Sequence, residues 1–176
     1  MIEIVLGVVV AISFLLFIFV VINNRFQLAI IKIDKAEEDI EMYLIKKQEL
    51  LNRTRPIIKK ELKMEEFLEE IDSISDDFNN FEMHLELKKS YNFLFKTLDE
   101  NEKLLKSEVL LSILEELNSN EENIVGAIKF YNDTVVEFNQ LIVSFPSKIV
   151  AFFKRYYKKE FYNNEKREIF EILNNK

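Results

Sequence analysis

The chain opens on an unbroken apolar run and then changes to a helical alternation of apolar and polar positions. From Ile4 to Ile22 there are 19 residues without a charge. As a helix they span roughly 28 Å at ~1.5 Å per residue, close to the ~30 Å thickness of a bilayer's hydrocarbon core. This run predicts a transmembrane helix. A core helix apolar on every side would need a much larger soluble domain around it.

After Asn24 the pattern is that of a charged helix with one apolar stripe. Phe26, Ile30, Ile33, Ile40, Leu44 and Leu51 fall at 3–4 spacing, flanked by Ala29, Ala36, Tyr43 and Leu50. Nothing breaks the helix between Ile22 and Phe26, so the spacing predicts that it continues directly from the span. Pro56 should kink it, since proline removes a backbone bond and clashes with the preceding turn. A second stripe runs through Met64, Phe67, Ile71, Ile74, Phe78, Phe81 and Leu85, with a reversal of direction expected at Asp72–Asp77. Leu87, Tyr91, Leu94 and Leu98 carry the next helix to a turn at 99–101, with Ser107 as the N-cap of the one after.

That third helix is the most regular. Leu110, Leu114, Leu117, Ile124, Ile128, Tyr131, Val135, Phe138, Ile142 and Phe145 form its seam, interrupted only by Glu121. Pro146 should end it, and Ser147 should cap a short helix through Tyr157. The stripes admit a dimeric coiled coil, but their width and the short connections favour an antiparallel bundle within one chain. The expected organisation is an anchor over 1–24, a helical bundle over 25–160 and a polar tail over 161–176, extending as a frayed helix.

Composition narrows the chemistry. Of 176 residues none is cysteine, one is histidine (His84), and glycine and proline number two each. Disulfides, thiolate metal sites and cysteine nucleophiles are excluded. Phosphate-cradling glycine loops and multi-strand sheets are disfavoured. A net charge of −7 gives no general affinity for nucleic acid. Of the charged residues only Glu3 precedes the span. With Met-Ile-Glu in front and no small-residue cleavage site behind, the segment does not read as a signal peptide. Arg25, Lys32 and Lys35 follow it, so the positive-inside rule places the N-terminus outside and the C-terminal domain in the cytoplasm, at the cell membrane.

The block Glu121-Glu122-Asn123-Ile124-Val125-Gly126-Ala127-Ile128-Lys129-Phe130-Tyr131-Asn132, followed by Val135, Phe138-Asn139, Ile142, Phe145-Pro146 and Ala151, resembles the signature of the LemA-like family. Upstream, Leu110–Leu117 with Glu115-Glu116, and Ile33-Asp34 through Leu50-Leu51, are similar to the family's leucine-rich stretch and first soluble helix. The chain departs from the pattern at four places. Ala127-Ile128 stands for an Ala-Arg, Phe138-Asn139 for a second Tyr-Asn, Asn52 for a proline and Arg155-Tyr156 for a Gly-Phe near the end. The resemblance implies a membrane-anchored bacterial protein, all-α, with an antiparallel four-helix bundle, and does not imply an enzyme.

The residues carrying the resemblance are Glu121, Ile124, Ala127, Tyr131, Asn132, Phe138, Asn139, Phe145 and Pro146. Asn132 and Asn139 lie on one row of the helix, with Asn118, beside the apolar seam. They suit hydrogen bonds that fix packing, or a polar groove for a peptide or headgroup. Glu121, in an apolar register, calls for a lysine partner on another helix or for a solvated bundle end. A carboxylate metal site would need several converging acids, and the Glu-x-x-His pattern is absent, because Phe81 stands three residues before His84. No metal or other cofactor is expected.

The run Phe152-Phe153-Lys154-Arg155-Tyr156-Tyr157-Lys158-Lys159 is basic and aromatic. It suits anionic surfaces through Lys154, Arg155, Lys158 and Lys159. If three bundle helices alternate in direction from the membrane, this run falls at the distal end, with its aromatics closing the bundle. The reading is therefore a non-enzymatic interaction or scaffold protein, held in a bilayer by residues 4–22. It expects a protein partner, no nucleic acid, and leaves an oligomer open. The alternatives are a membrane-bridging or shaping element using 152–162, and a carboxylate metal protein or enzyme.

Overall fold

The computed structural model describes residues 1–64, 66–74 and 79–162. Among these the regular structure is all helical: α1 (Ile2–Leu62), α2 (Asn80–Glu100), α3 (Glu108–Val143) and α4 (Ser147–Lys154), with short 3₁₀ segments at Glu69–Ser73 and Glu102–Lys106. This is the expected all-α class, opening on a long apolar helix. Two compact units form. One holds Met1–Lys35 with the chain from Phe130 onward, the other Ala36–Lys129.

α1 runs without a break from the apolar segment into the charged stripe. Phe26, Ala29, Ile33, Ala36, Ile40, Leu44, Leu50 and Leu51 are all buried, as their spacing predicts. Pro56 does not end the helix, which continues to Leu62. Two residues earlier the buried Thr54 Oγ1 donates to the Leu51 carbonyl at 2.7 Å, bonding back along its own helix.

In the Ala36–Lys129 unit the reversal after α1 differs from expectation. Residues 66–74 are not an α helix on a 3–4 stripe but hold only a 3₁₀ turn over Glu69–Ser73. Lys63 and Leu68 take left-handed φ of 54°; the first follows the end of α1 at Leu62 and the second precedes the 3₁₀ turn Glu69–Ser73. The chain then runs back along α1. The Arg55 guanidinium donates to the Phe67 carbonyl at 3.2 Å and to both Asp72 carboxylate oxygens at 2.6 and 2.8 Å. Gln48 donates to the Ile71 carbonyl, and Asn80 to that of Glu37. Phe67 and Ile71 are buried, as apolar residues facing a helix should be, whereas Met64, Phe81 and Leu85 are exposed. The expected turn at 72–77 lies outside the described residues from 75 on.

α2 starts with a capping box. The Asn79 side chain accepts from the Phe81 and Glu82 amides, and the Glu82 carboxylate accepts from the Asn79 amide. It runs in the same direction as α1, with Asn80 opposite Glu37 and Tyr91 opposite Lys47. α3 then runs antiparallel to α1, pairing Arg53 with Glu116 and Lys47 with Glu121. Ser107 caps α3 as expected, its hydroxyl accepting from the Leu110 amide at 3.3 Å.

In the other unit α3 is again antiparallel to α1, with Glu137 against Lys32 and Phe138 edge-on to Phe26 at 5.6 Å. α3 stops at Val143. Phe145, expected in the seam, is 75 % exposed, and its peptide bond to Pro146 is cis. α4 is shorter than expected, ending at Lys154. Pro146, not Ser147, holds its N-cap position. The end is a Schellman motif: Arg155 is left-handed at φ 55°, the Tyr156 amide donates to the Ala151 carbonyl and the Arg155 amide to that of Phe152.

Candidate functional site

Two groups of polar side chains stand inside the packed helices, one in each unit. In the Ala36–Lys129 unit Lys47 sits on the buried stripe of α1 between Leu44 and Leu51, and its side chain is fully buried. Its ammonium meets the Glu121 carboxylate at 2.5 Å and lies 4.7 Å from the centroid of the Tyr91 ring. The Tyr91 hydroxyl donates to Asn118 Oδ1 at 3.0 Å, and Asn120 donates to the Tyr43 carbonyl at 2.9 Å. Glu121 thus has the lysine partner its register calls for. Burial holds the Lys47 pKa below the ordinary lysine value, against the opposing pull of Glu121. Burial also lowers that of the half-buried His84, with Lys47 adding to the effect. This cluster ties α1, α2 and α3 together. Among the described residues no three His, Asp or Glu side chains converge on a metal position.

In the other unit the asparagines of α3 hold backbone. Asn139 clamps Lys159 from both sides, donating to its carbonyl at 2.9 Å and accepting from its amide at 2.8 Å. Asn132 accepts from the Tyr162 amide at 2.8 Å, and the Tyr131 hydroxyl donates to the Glu160 carbonyl at 3.1 Å. The row beside the seam is therefore a groove for extended chain, and the protein's own residues 159–162 lie in it. The tail from 163 on lies outside the described residues. Asn118, on the same row by spacing, serves Tyr91 instead. Burial raises the Tyr162 pKa well above the ordinary phenol value, with Tyr131 adding to it. Of the remaining signature residues, Ile124 and Phe138 are buried core and Ala127 is half-buried.

The basic-aromatic segment is not distal to the start of α1. Tyr156 packs on Phe26 at 4.8 Å between ring centroids. Its hydroxyl accepts from Gln27 Nε2 at 2.7 Å and lies 3.5 Å from Asn23 Oδ1. Asn23 is the first polar residue after the apolar run. The distal placement assumed that α2 turns back. The return is made instead by a segment that, among its described residues, holds only the short 3₁₀ turn Glu69–Ser73, so that α3 is the helix running back along α1. Of the segment's aromatics Tyr156 alone packs into the bundle, against Phe26 and Phe138, whereas Phe152 is 79 %, Phe153 69 % and Tyr157 78 % exposed. Lys154, Arg155 and Lys158 are exposed, and Lys159 is half-buried beneath its clamp. A cleft of about 640 Å³ opens between α1 and the turn from α3 to α4, lined by Arg25, Leu28, Lys32, Gln140, Phe145 and Pro146 among others.

Sequence reasoning missed Lys47, although the signal was present. Residues 40, 44, 47 and 51 keep the stripe's 4–3–4 spacing, and Glu121 stands at the corresponding point between Leu117 and Ile124. Two opposite charges on facing seams are a pairing signal.

Compared with known proteins, the chain matches the model of the LemA family over residues 36–172. No curated protein and no solved structure matches it.

Proposed function

The chain belongs to the LemA family, and from that premise we propose that it is a single-pass, membrane-anchored interaction protein without catalytic activity, holding its helical domain at the cytoplasmic face. The observation that carries the reading is the start of α1. Residues 1–17 are exposed on every side of one helix, and the segment is long and apolar enough to cross a membrane. In water such a surface is unfavourable at roughly 25 cal/mol per Å², and a bilayer removes that cost. Arg25, Lys32 and Lys35 just beyond the span support the cytoplasmic side. The polar groups that a catalytic reading would need, Lys47, Glu121, Asn132 and Asn139, are bound to the protein's own chain. That leaves the outer surfaces of the helices for partners.

Alkaline carbonate extraction of membranes containing the full chain tests the anchor. The protein should stay in the pellet; release into the supernatant refutes anchoring. Crosslinking in the native membrane, read by mass spectrometry, tests the interaction role. Reproducible links to one partner through exposed residues of α2 or α3 are expected. Failure to form any link to another chain refutes it.

A further inference from the structure

Residues 1–17 are all exposed; one face of α1 then becomes covered, in part at Ile18 and Phe19 and almost wholly at Ile22 and Phe26, while Val20 and Val21 stay exposed. Packed protein therefore begins before the apolar run ends. The overlap from Ile18 to Ile22 is about 6 Å at ~1.5 Å per residue, within the ~5–10 Å depth at which interfacial helices lie. α4 belongs to this end of the unit, since Tyr156, just after it, contacts Asn23, Phe26 and Gln27.

The orientation of α4 fits the same depth. α3 is antiparallel to α1 here, and α4 turns from it by 94°. A helix at right angles to a membrane span lies in the membrane plane. α4 is also two-sided. Ser147, Val150 and Ala151 face the protein, while Ile149, Phe152 and Phe153, at helical spacing, face outward. From Ser147 to Lys159 there are five basic residues and no acidic one, in a chain of net charge −7. Arg155 even occupies a left-handed position that ordinarily favours glycine.

We propose that α4 is a second membrane contact, an interfacial helix that inserts Ile149, Phe152 and Phe153 into the leaflet from which the span emerges. Lys148, Lys154 and Arg155 engage anionic phospholipid headgroups there. The inference rests on the anchoring reading above. Its occupant is the protein's own bilayer, because the apolar face of α4 is continuous in depth with the lipid-facing surface of the span. A soluble partner would have to approach a face turned into the interface.

The chain has no cysteine, so single cysteines report cleanly on depth. The full chain carrying Phe152→Cys, labelled with an environment-sensitive fluorophore, is reconstituted into phosphatidylcholine vesicles with and without phosphatidylglycerol. Quenching by nitroxide-labelled lipid is read against a Val9→Cys label in the span. Both labels should be quenched, Phe152→Cys more strongly with phosphatidylglycerol. Each of Lys148→Gln, Lys154→Gln and Arg155→Gln should weaken the α4 contact about fivefold. An unquenched Val9→Cys label overturns the anchoring reading itself. A quenched Val9→Cys with an unquenched Phe152→Cys overturns the α4 contact alone. Quenching at Phe152→Cys that is the same in both lipids and in all three variants overturns headgroup recognition.

Discussion

Replacing Glu121 by glutamine leaves the Lys47 ammonium buried without its counter-charge. Breaking a buried pair by removing one partner costs about 3–5 kcal/mol. Lys47 has no exposed side-chain surface, while the Glu121 side chain is 27 % exposed, so the lower limit, about 3 kcal/mol, applies. At about 2–4 °C per kcal/mol for a chain of this size, the thermal midpoint should fall by roughly 6–12 °C. Far-UV circular dichroism of the detergent-solubilised full chain measures it. Lys47→Met should cost less, because the carboxylate left behind reaches water. The double variant Lys47→Met with Glu121→Leu fills both seams with apolar residues. It should melt at or above the parent midpoint, as such replacements are often neutral or stabilising. A midpoint for Glu121→Gln within about 1 °C of the parent, or a double variant below both singles, would refute this account of the pair.

Three further outcomes are expected. Asn139→Ala removes both bonds to Lys159, about 1–2 kcal/mol together; hydrogen exchange should accelerate at the Lys159 amide, and unchanged protection there would contradict the clamp. His84 has a depressed pKa in the folded state, so below the unfolded value of about 6.5 the unfolded chain binds a proton that the folded chain resists. Stability from this group is therefore full above that pH and is lost as pH falls through it. The melting difference between neutral and mildly acidic buffer should shrink in His84→Asn, and an unchanged or larger difference counts against it. Arg155→Gly relieves a left-handed non-glycine residue and should raise stability by about 1 kcal/mol in detergent, while weakening anionic-lipid quenching at α4; a lower midpoint would contradict the strain.

Much of the fold was legible because its determinants are local. The apolar run, the stripe from Phe26 to Leu51 and the seam from Leu110 to Phe138 each announce a helix by periodicity, and Ser107 marks a start by its capping chemistry. The errors arose where spacing and topology part. Phe67 and Ile71 keep helical spacing, yet Phe67 lies in a bend and Ile71 in a 3₁₀ turn, because two apolar residues facing one helix need no α helix of their own. Lys63 and Leu68 take left-handed φ without glycine, so nothing in the composition signalled a break. The Asn79-x-x-Glu82 capping box did signal the start of α2, and the apolar positions Phe78 and Phe81 on either side masked it. Once the return was assigned to a helix, the direction of α3 was inverted and residues 152–159 were sent to the wrong end. The tethering of Tyr156 to Asn23 and Gln27 is a contact between distant parts of the chain that no local pattern encodes. The asparagine row was recognisable as polar positions beside a seam, but its occupant, the chain at 159–162, was not.

Membrane crossing at α1 is tested most directly by labelling two single cysteines with a membrane-impermeant maleimide. Ile2→Cys lies before the apolar run and Asn101→Cys lies at the end of α2. In intact cells Ile2→Cys should react and Asn101→Cys should stay unlabelled, reacting only after lysis. Labelling of Asn101→Cys in intact cells, or protection of both positions until lysis, would contradict the account.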